Sequence, residues 1–164
     1  DNPRLAGALA GTGIRTIAAD ASVESASRLV GDTVTVPRHP IDLDFDTATV
    51  AETIDQYNWV HTSRADGGNG ECEADDACQK PAAPGTGFTD HIVPVEGRKV
   101  LDHMLTNDPR PHYVHQPQLT EDRTLYPLLD RVVGDYRAWF ADNRPLRMPT
   151  MTQSSHELRR QQRG

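Results

Sequence analysis

Segments with a helical apolar period alternate along this chain with short runs of strand composition, and that alternation constrains the fold more than any other feature. Arg4 to Ala10 carries Leu5, Ala6, Leu9 and Ala10 at helical spacing and stops at Gly11-Thr12-Gly13, a helix C-terminus. Ile14 to Ala19 then reads as a short buried strand ending at Asp20. Glycines after a helix and before a strand reverse the dinucleotide fingerprint, which excludes a Rossmann reading here. Thr33 to Pro37 has the β-branched content of a second strand, and Pro37-Arg38-His39-Pro40 is expected to close it as a rigid corner outside the ladder. Thr49 to Val60 sets Val50, Ile54 and Tyr57 on one helical face, and Val95 to Leu105 does the same with Val100, Leu101 and Met104. Pro111 to Pro117 reads as a short strand between prolines, and Pro145 to Thr152 as the start of another. Thr124 to Phe140 is the clearest helix, with a broad stripe of Leu125, Leu128, Leu129, Val132, Val133, Tyr136 and Phe140 that is expected to pack against a sheet. Such an order predicts an α/β fold with a parallel sheet, and about four strands are too few for a closed eight-strand barrel of ~250 residues. The chain therefore reads as a layered α/β fold or as part of a barrel.

Two stretches fall outside this pattern. From His61 to about Val93 no period survives among Gly, Pro, Ala and acidic residues, so this segment is either an insertion on a functional face or a lid. Residues 154–164 are polar and basic and are expected to form a tail after a partial domain spanning 1–153. Cys72 and Cys78 sit together within the insertion. A local disulfide, and with it an oxidising compartment, is their simplest use; the alternative is a pair of exposed thiols. Their spacing, with no second Cys or His pair nearby, does not complete a zinc tetrahedron.

Charge and hydropathy remove further classes. Seventeen Lys and Arg against twenty-four Asp and Glu leave a formal charge of −7, which repels a phosphate backbone and argues against nucleic acid as a partner. No run approaches the ~18 apolar residues of a membrane helix, so no membrane span is expected. The chain opens on Asp1-Asn2-Pro3 with neither Met nor a signal segment, and is read as a mature form or a portion of a longer protein.

The candidate chemistry clusters at strand ends. Asp20 ends the first strand, where α/β folds place their sites, or else serves as the turn residue before Ala21-Ser22. Arg38 follows the second strand, from which a guanidinium could orient a carboxylate or make a surface ion pair. In Pro111-His112-Tyr113-Val114-His115-Gln116-Pro117, strand alternation turns His112 and His115 to opposite faces, which argues against one shared metal, and gives Tyr113 the face of His115. An imidazole at that strand end could donate a proton to a leaving group; the alternative is a histidine hydrogen-bonded into the core or simply exposed. The acidic residues of the insertion do not follow a calcium-loop pattern, and no nucleophile elbow, phosphate loop or His-Glu-x-x-His helix is present.

Four segments taken in order resemble a known family: Thr16-Ile17-Ala18-Ala19-Asp20, Val36-Pro37-Arg38-His39-Pro40, Asp55-Gln56-Tyr57-Asn58 and Pro111-His112-Tyr113-Val114-His115-Gln116. Together they are similar to the later part of the catalytic domain of NodB-like polysaccharide deacetylases, in the secreted galactosaminogalactan-deacetylase-like branch. The resemblance runs through most of residues 4–150; His39 and Pro117-Gln118 depart from the pattern. It implies the later part of a distorted (β/α) barrel, incomplete in this chain, that hydrolyses acetamide groups of N-acetylated amino-sugar polysaccharides outside the cell. His115 stands in the place of the proton donor, Arg38 in that of the arginine that orients the base, and Asp20 in that of a strand-end carboxylate, with Tyr113, Gln116 and His112 against substrate. The divalent metal of such enzymes, zinc by expectation, would be held by residues upstream of Asp1, so no metal ligand is assigned within the chain. The competing reading is a non-catalytic carbohydrate-binding or cell-surface α/β module.

Overall fold

The computed structural model describes residues 4–140 and 142–162. They form a mixed α/β structure in two compact units, one of residues 1–40, 104–113 and 145–164, the other of residues 41–103 and 114–144.

The first unit is built on strand β3 (Thr33–Pro40). Strand β1 (Thr16–Asp20) runs parallel along one side, in register from Thr16 beside Val34 to Asp20 beside Arg38. On the other side β2 (Leu29–Val30) pairs antiparallel with the start of β3, and β4 (His112–Tyr113) pairs parallel with His39 and Pro40. The sheet is open and mixed. Contrary to expectation, Pro37 to Pro40 continue the ladder. Val34 and Arg38 bond toward β1 while Thr35 and His39 bond away from it, to Arg28 and Pro111. Pro37 shares the parity of Thr35 and His39, so its missing N–H falls in the gap between β2 and β4, where no ladder bond is lost.

Helix α1 (Leu5–Leu9) precedes β1 as the spacing predicts. The polar stretch expected as a tail instead forms a helix (α5, Met151–Gln161, numbered in chain order), and the strand expected at Pro145 to Thr152 is absent among the described residues. Thr150 and Gln153 make a reciprocal capping box at its start. Ser154, Ser155 and Leu158 then face β1 and β3, and side chains this small let a polar helix lie close to a sheet without an apolar stripe. Residues 163–164 lie outside the described residues.

The second unit holds no strand among its described residues. Helix α2 (Val50–His61) opens on a capping box of Thr49 and Glu52, and Asp122 accepts from the Val50 N–H at 2.9 Å; Thr53, Ile54 and Tyr57 face inward. Helix α3 (Val93–Leu105) extends a π-helical turn at Phe88–Ile92 and buries Val93, Val100 and Leu101. Helix α4 (Leu125–Trp139) buries only Leu128 and Val132. Its packing differs from expectation: it meets the turn at Gln116–Leu119 and Gly97 of α3, where an added Cβ would lie 3.3 Å from Arg131.

The 61–93 segment is tied along its length. Asn69 donates from its backbone to Trp59 and Gln79 to His61, Asn58 exchanges two bonds with the Ala82 backbone, and Arg64 pairs with Glu73. Cys72 and Cys78 form a disulfide, the use their spacing predicts. Two glycines permit the tight passages: a Cβ on Gly68 would stand 2.2 Å from the Thr62 carbonyl, and one on Gly87 2.7 Å from the Ala82 backbone.

Candidate functional site

Register alone carries Asp20, Arg38 and Tyr113 to the carboxyl ends of three parallel strands, since Asp20 lies beside Arg38 and Tyr113 beside Pro40. Their side chains converge there. Tyr113 donates its hydroxyl to Asp20 Oδ2 at 2.9 Å, and the Arg38 guanidinium lies over the Tyr113 ring, 4.4 Å from its centre. Arg38 Nε also points to the Ala19 carbonyl at 3.5 Å. The other carboxylate oxygen of Asp20 accepts from the Ser22 N–H at 2.9 Å and the Ser22 hydroxyl at 2.7 Å, so Oδ1 caps the turn while Oδ2 faces the group. Donation from the Ser22 hydroxyl and N–H keeps the Asp20 carboxyl below its usual range against desolvation, with Tyr113 and the Arg38 charge adding smaller effects in the same direction. Asp20 is thus an ionised acceptor near neutral pH, suited to orienting a donor rather than to giving up a proton.

The same unit places His39 and His112 with ring centres 5.5 Å apart. His39 Nε2 lies 2.8 Å from Asp108 Oδ2, and Arg110 grips both oxygens of Asp108 at 3.0 Å while donating to the Ser25 carbonyl. Desolvation works against the charge on Asp108, but bonds from the Arg110 backbone and from His39, with the Arg110 charge, hold its carboxyl below the usual range.

His115 and Gln116 belong to the second unit, and both are exposed. Strand β4 ends at Tyr113, so the alternation that gave Tyr113 the face of His115 does not extend to that residue. Pro117 is one cause, because a helical turn accepts it early and a ladder does not. The His115 N–H donates to Gln118 Oε1 at 2.8 Å, and its ring meets Phe45 edge-on at 5.9 Å. Gln118, one of the departures from the family pattern, is buried and donates to the carbonyls of Asp44 and Thr47, so its role is to hold this turn.

Sequence reasoning missed a polar network around buried Glu96 and Tyr57 in the second unit. Glu96, 2% exposed, pairs with Lys99 at 2.8 Å, and Lys99 reaches Asp42 at 2.9 Å. Tyr57 donates to Gln79 at 3.0 Å and stands 3.5 Å from Glu96, with the His61 ring 4.3 Å and the His91 ring 6.0 Å from its own. Desolvation and the Glu96 charge push the Tyr57 phenol up to about 12. Burial raises the Glu96 carboxyl against the pull of Lys99, and burial with the Lys99 charge lowers His61. A Glu three residues before a Lys on the apolar face of Val93, Val100 and Leu101 was the one available signal.

Among the described residues no group of three or more His, Cys, Asp or Glu side chains is placed to hold a metal ion, and no helix is long and apolar enough to cross a membrane. Comparison with protein-family models, with curated proteins and with solved structures finds no match to this chain.

Proposed function

We propose that this chain supplies the substrate-orienting part of a secreted polysaccharide N-deacetylase, one that hydrolyses acetamide groups of an N-acetylated amino-sugar polymer. The observation that carries the reading is the convergence of Asp20, Arg38 and Tyr113 at the carboxyl ends of β1, β3 and β4. Parallel α/β sheets place their chemistry at that end. Parallel pairing of β1 with β3 and of β3 with β4, with only the two-residue antiparallel β2 interposed in the chain, supports the later part of a distorted NodB-like (β/α) barrel. The disulfide supports a secreted or cell-surface location.

In this reading the ionised Asp20 and the Arg38 cation orient polar groups at the strand ends of the first unit, where Tyr113 and His112 contact sugar. His115 and Gln116, in the second unit, keep the roles of proton donor and sugar contact that the resemblance gives them. The described residues do not fit a metal site, so the divalent metal of the reading, zinc in chemistry, belongs to ligands outside them.

Acetate release from N-acetylated galactosamine and glucosamine oligomers by the whole natural protein is the test. His115→Ala is expected to lower turnover by roughly 10²–10⁴, the usual worth of a general acid. Turnover that survives the substitution within about threefold removes His115 from the role, because a lost proton donor costs far more than that. Oligomer binding with no acetate released by the wild-type protein overturns the deacetylase in favour of a non-catalytic carbohydrate-binding module.

A further inference from the structure

The loop that leaves α2 closes on the residue from which it leaves. His61 is the last residue of α2, and its carbonyl accepts the Gln79 N–H at 2.8 Å, so both ends of residues 62–79 meet there. Its half-buried ring lies against the buried ring of Tyr57, with 4.3 Å between centres. The Tyr57 hydroxyl in turn donates to the Gln79 side chain at 3.0 Å. One histidine therefore stands where a backbone bond and a side-chain bond together hold the loop against its helix.

The charges that act on this ring do not favour a second cation. Lys99 of α3 acts on it with its positive charge, and Asp42, ahead of α2, with its negative one. Lys99 already engages Asp42 at 2.9 Å and Glu96 at 2.8 Å. Tyr57 presents a neutral ring, which His91 of the π-helical turn meets edge-on at 6.0 Å. A proton added to His61 thus enters a half-buried position near an ammonium whose carboxylate partners are already taken. We propose that His61 is an acid-sensitive latch, whose protonation turns the ring out to water and releases residues 62–79 from α2. Burial first, and the Lys99 charge second, hold the ring below its ordinary 6.5. The released state therefore binds more protons than the latched one, and latching weakens as pH falls from 6.5 through the lower latched value. Glu96 is shifted upward by burial, so its protonation favours the latched state and is not the source of the opening. The inference does not depend on the proposed chemistry.

Hydrogen exchange of the whole natural protein at about pH 7 and about pH 5.5, corrected for the intrinsic pH dependence of exchange, tests it. Opening of residues 62–79 is expected to rise about threefold to tenfold in acid, since one proton allows at most about tenfold per pH unit. The centre of α3 should keep its protection. His61→Gln, which takes up no proton in this range, should abolish the rise. Should that substitution disturb α2, a ring-proton NMR titration of the wild type still decides the matter: a His61 midpoint below 6.5, followed by the Gln79 amide signal, is expected. Five results would each overturn the proposal: no rise, a rise that survives His61→Gln, a rise removed by His91→Gln instead, equal acceleration through α3, or a His61 midpoint at 6.5 or above.

Discussion

Asp108 shows how one carboxylate can organise a neighbourhood without being part of any recognisable motif. It joins His39 of β3 to Arg110, which in turn holds the Ser25 carbonyl, so a single side chain fixes three separate segments of its unit. Its carboxyl titrates below the ordinary 3.8 in the folded chain. Around that ordinary value the unfolded chain binds more protons than the folded one, so stability rises with pH there. The contribution is complete above the unfolded value and disappears as pH falls through the lower folded one. Urea denaturation at a series of pH values below about 5 should therefore show an acid limb that Asp108→Asn flattens in part. Asp20 and Glu52, also lowered, act in the same sense, whereas Asp44 and Glu96 are raised and act in the opposite one. An Asp in Asn-Asp-Pro reads locally as a turn residue; its partners lie on other segments and become visible only after folding.

Among the elements, the 61–93 segment departs furthest from its local signal. Nothing periodic marks it, yet backbone bonds to Trp59 and His61 and the Asn58–Ala82 pair attach it to α2, and the disulfide closes a loop within it. The disulfide leads directly into Gln79, whose side chain accepts from buried Tyr57. Replacing both cysteines with serine should cost about 2 kcal/mol or less, since the closed loop is short. Hydrogen exchange should then quicken across residues 64–79 while the centre of α3 stays protected; uniform acceleration throughout the chain would show that the disulfide supports the whole fold instead. Helices α2 to α4 were legible because each has a capping signal or a period of its own. Helix α5 was not, because its buried face consists of two serines and a leucine, and only the nearby sheet reveals that such a face is a packing surface.

For the whole chain, the −7 charge and the absence of a three-ligand cluster among the described residues bear on what it can hold. Metal binding requires deprotonated ligands brought together by the fold. Elemental analysis of these 164 residues after dialysis is expected to find less than one equivalent of zinc. A stoichiometric ion retained by this chain would place the metal site within it and contradict the assignment of that metal to other ligands.

The amino-acid order by itself determined the class, a mixed α/β fold of periodic helices and β-branched runs, together with a cysteine pair close enough to join and a first strand that ends at Asp20; it did not reveal the antiparallel β2 that makes the sheet mixed rather than parallel. What it determined depends on short-range spacing, which a chain carries whether folded or not. Tertiary structure alone decided that β3 continues past Pro37, because the gap between β2 and β4 lies on another strand's register. It also decided that strand alternation stops at Tyr113, that Lys99, Asp42 and Tyr57 gather around buried Glu96, and that Leu129 and Phe140 of the apolar stripe stay exposed. Each of these depends on which distant segment arrives opposite a residue, and side-chain spacing along one element carries no information about that arrival.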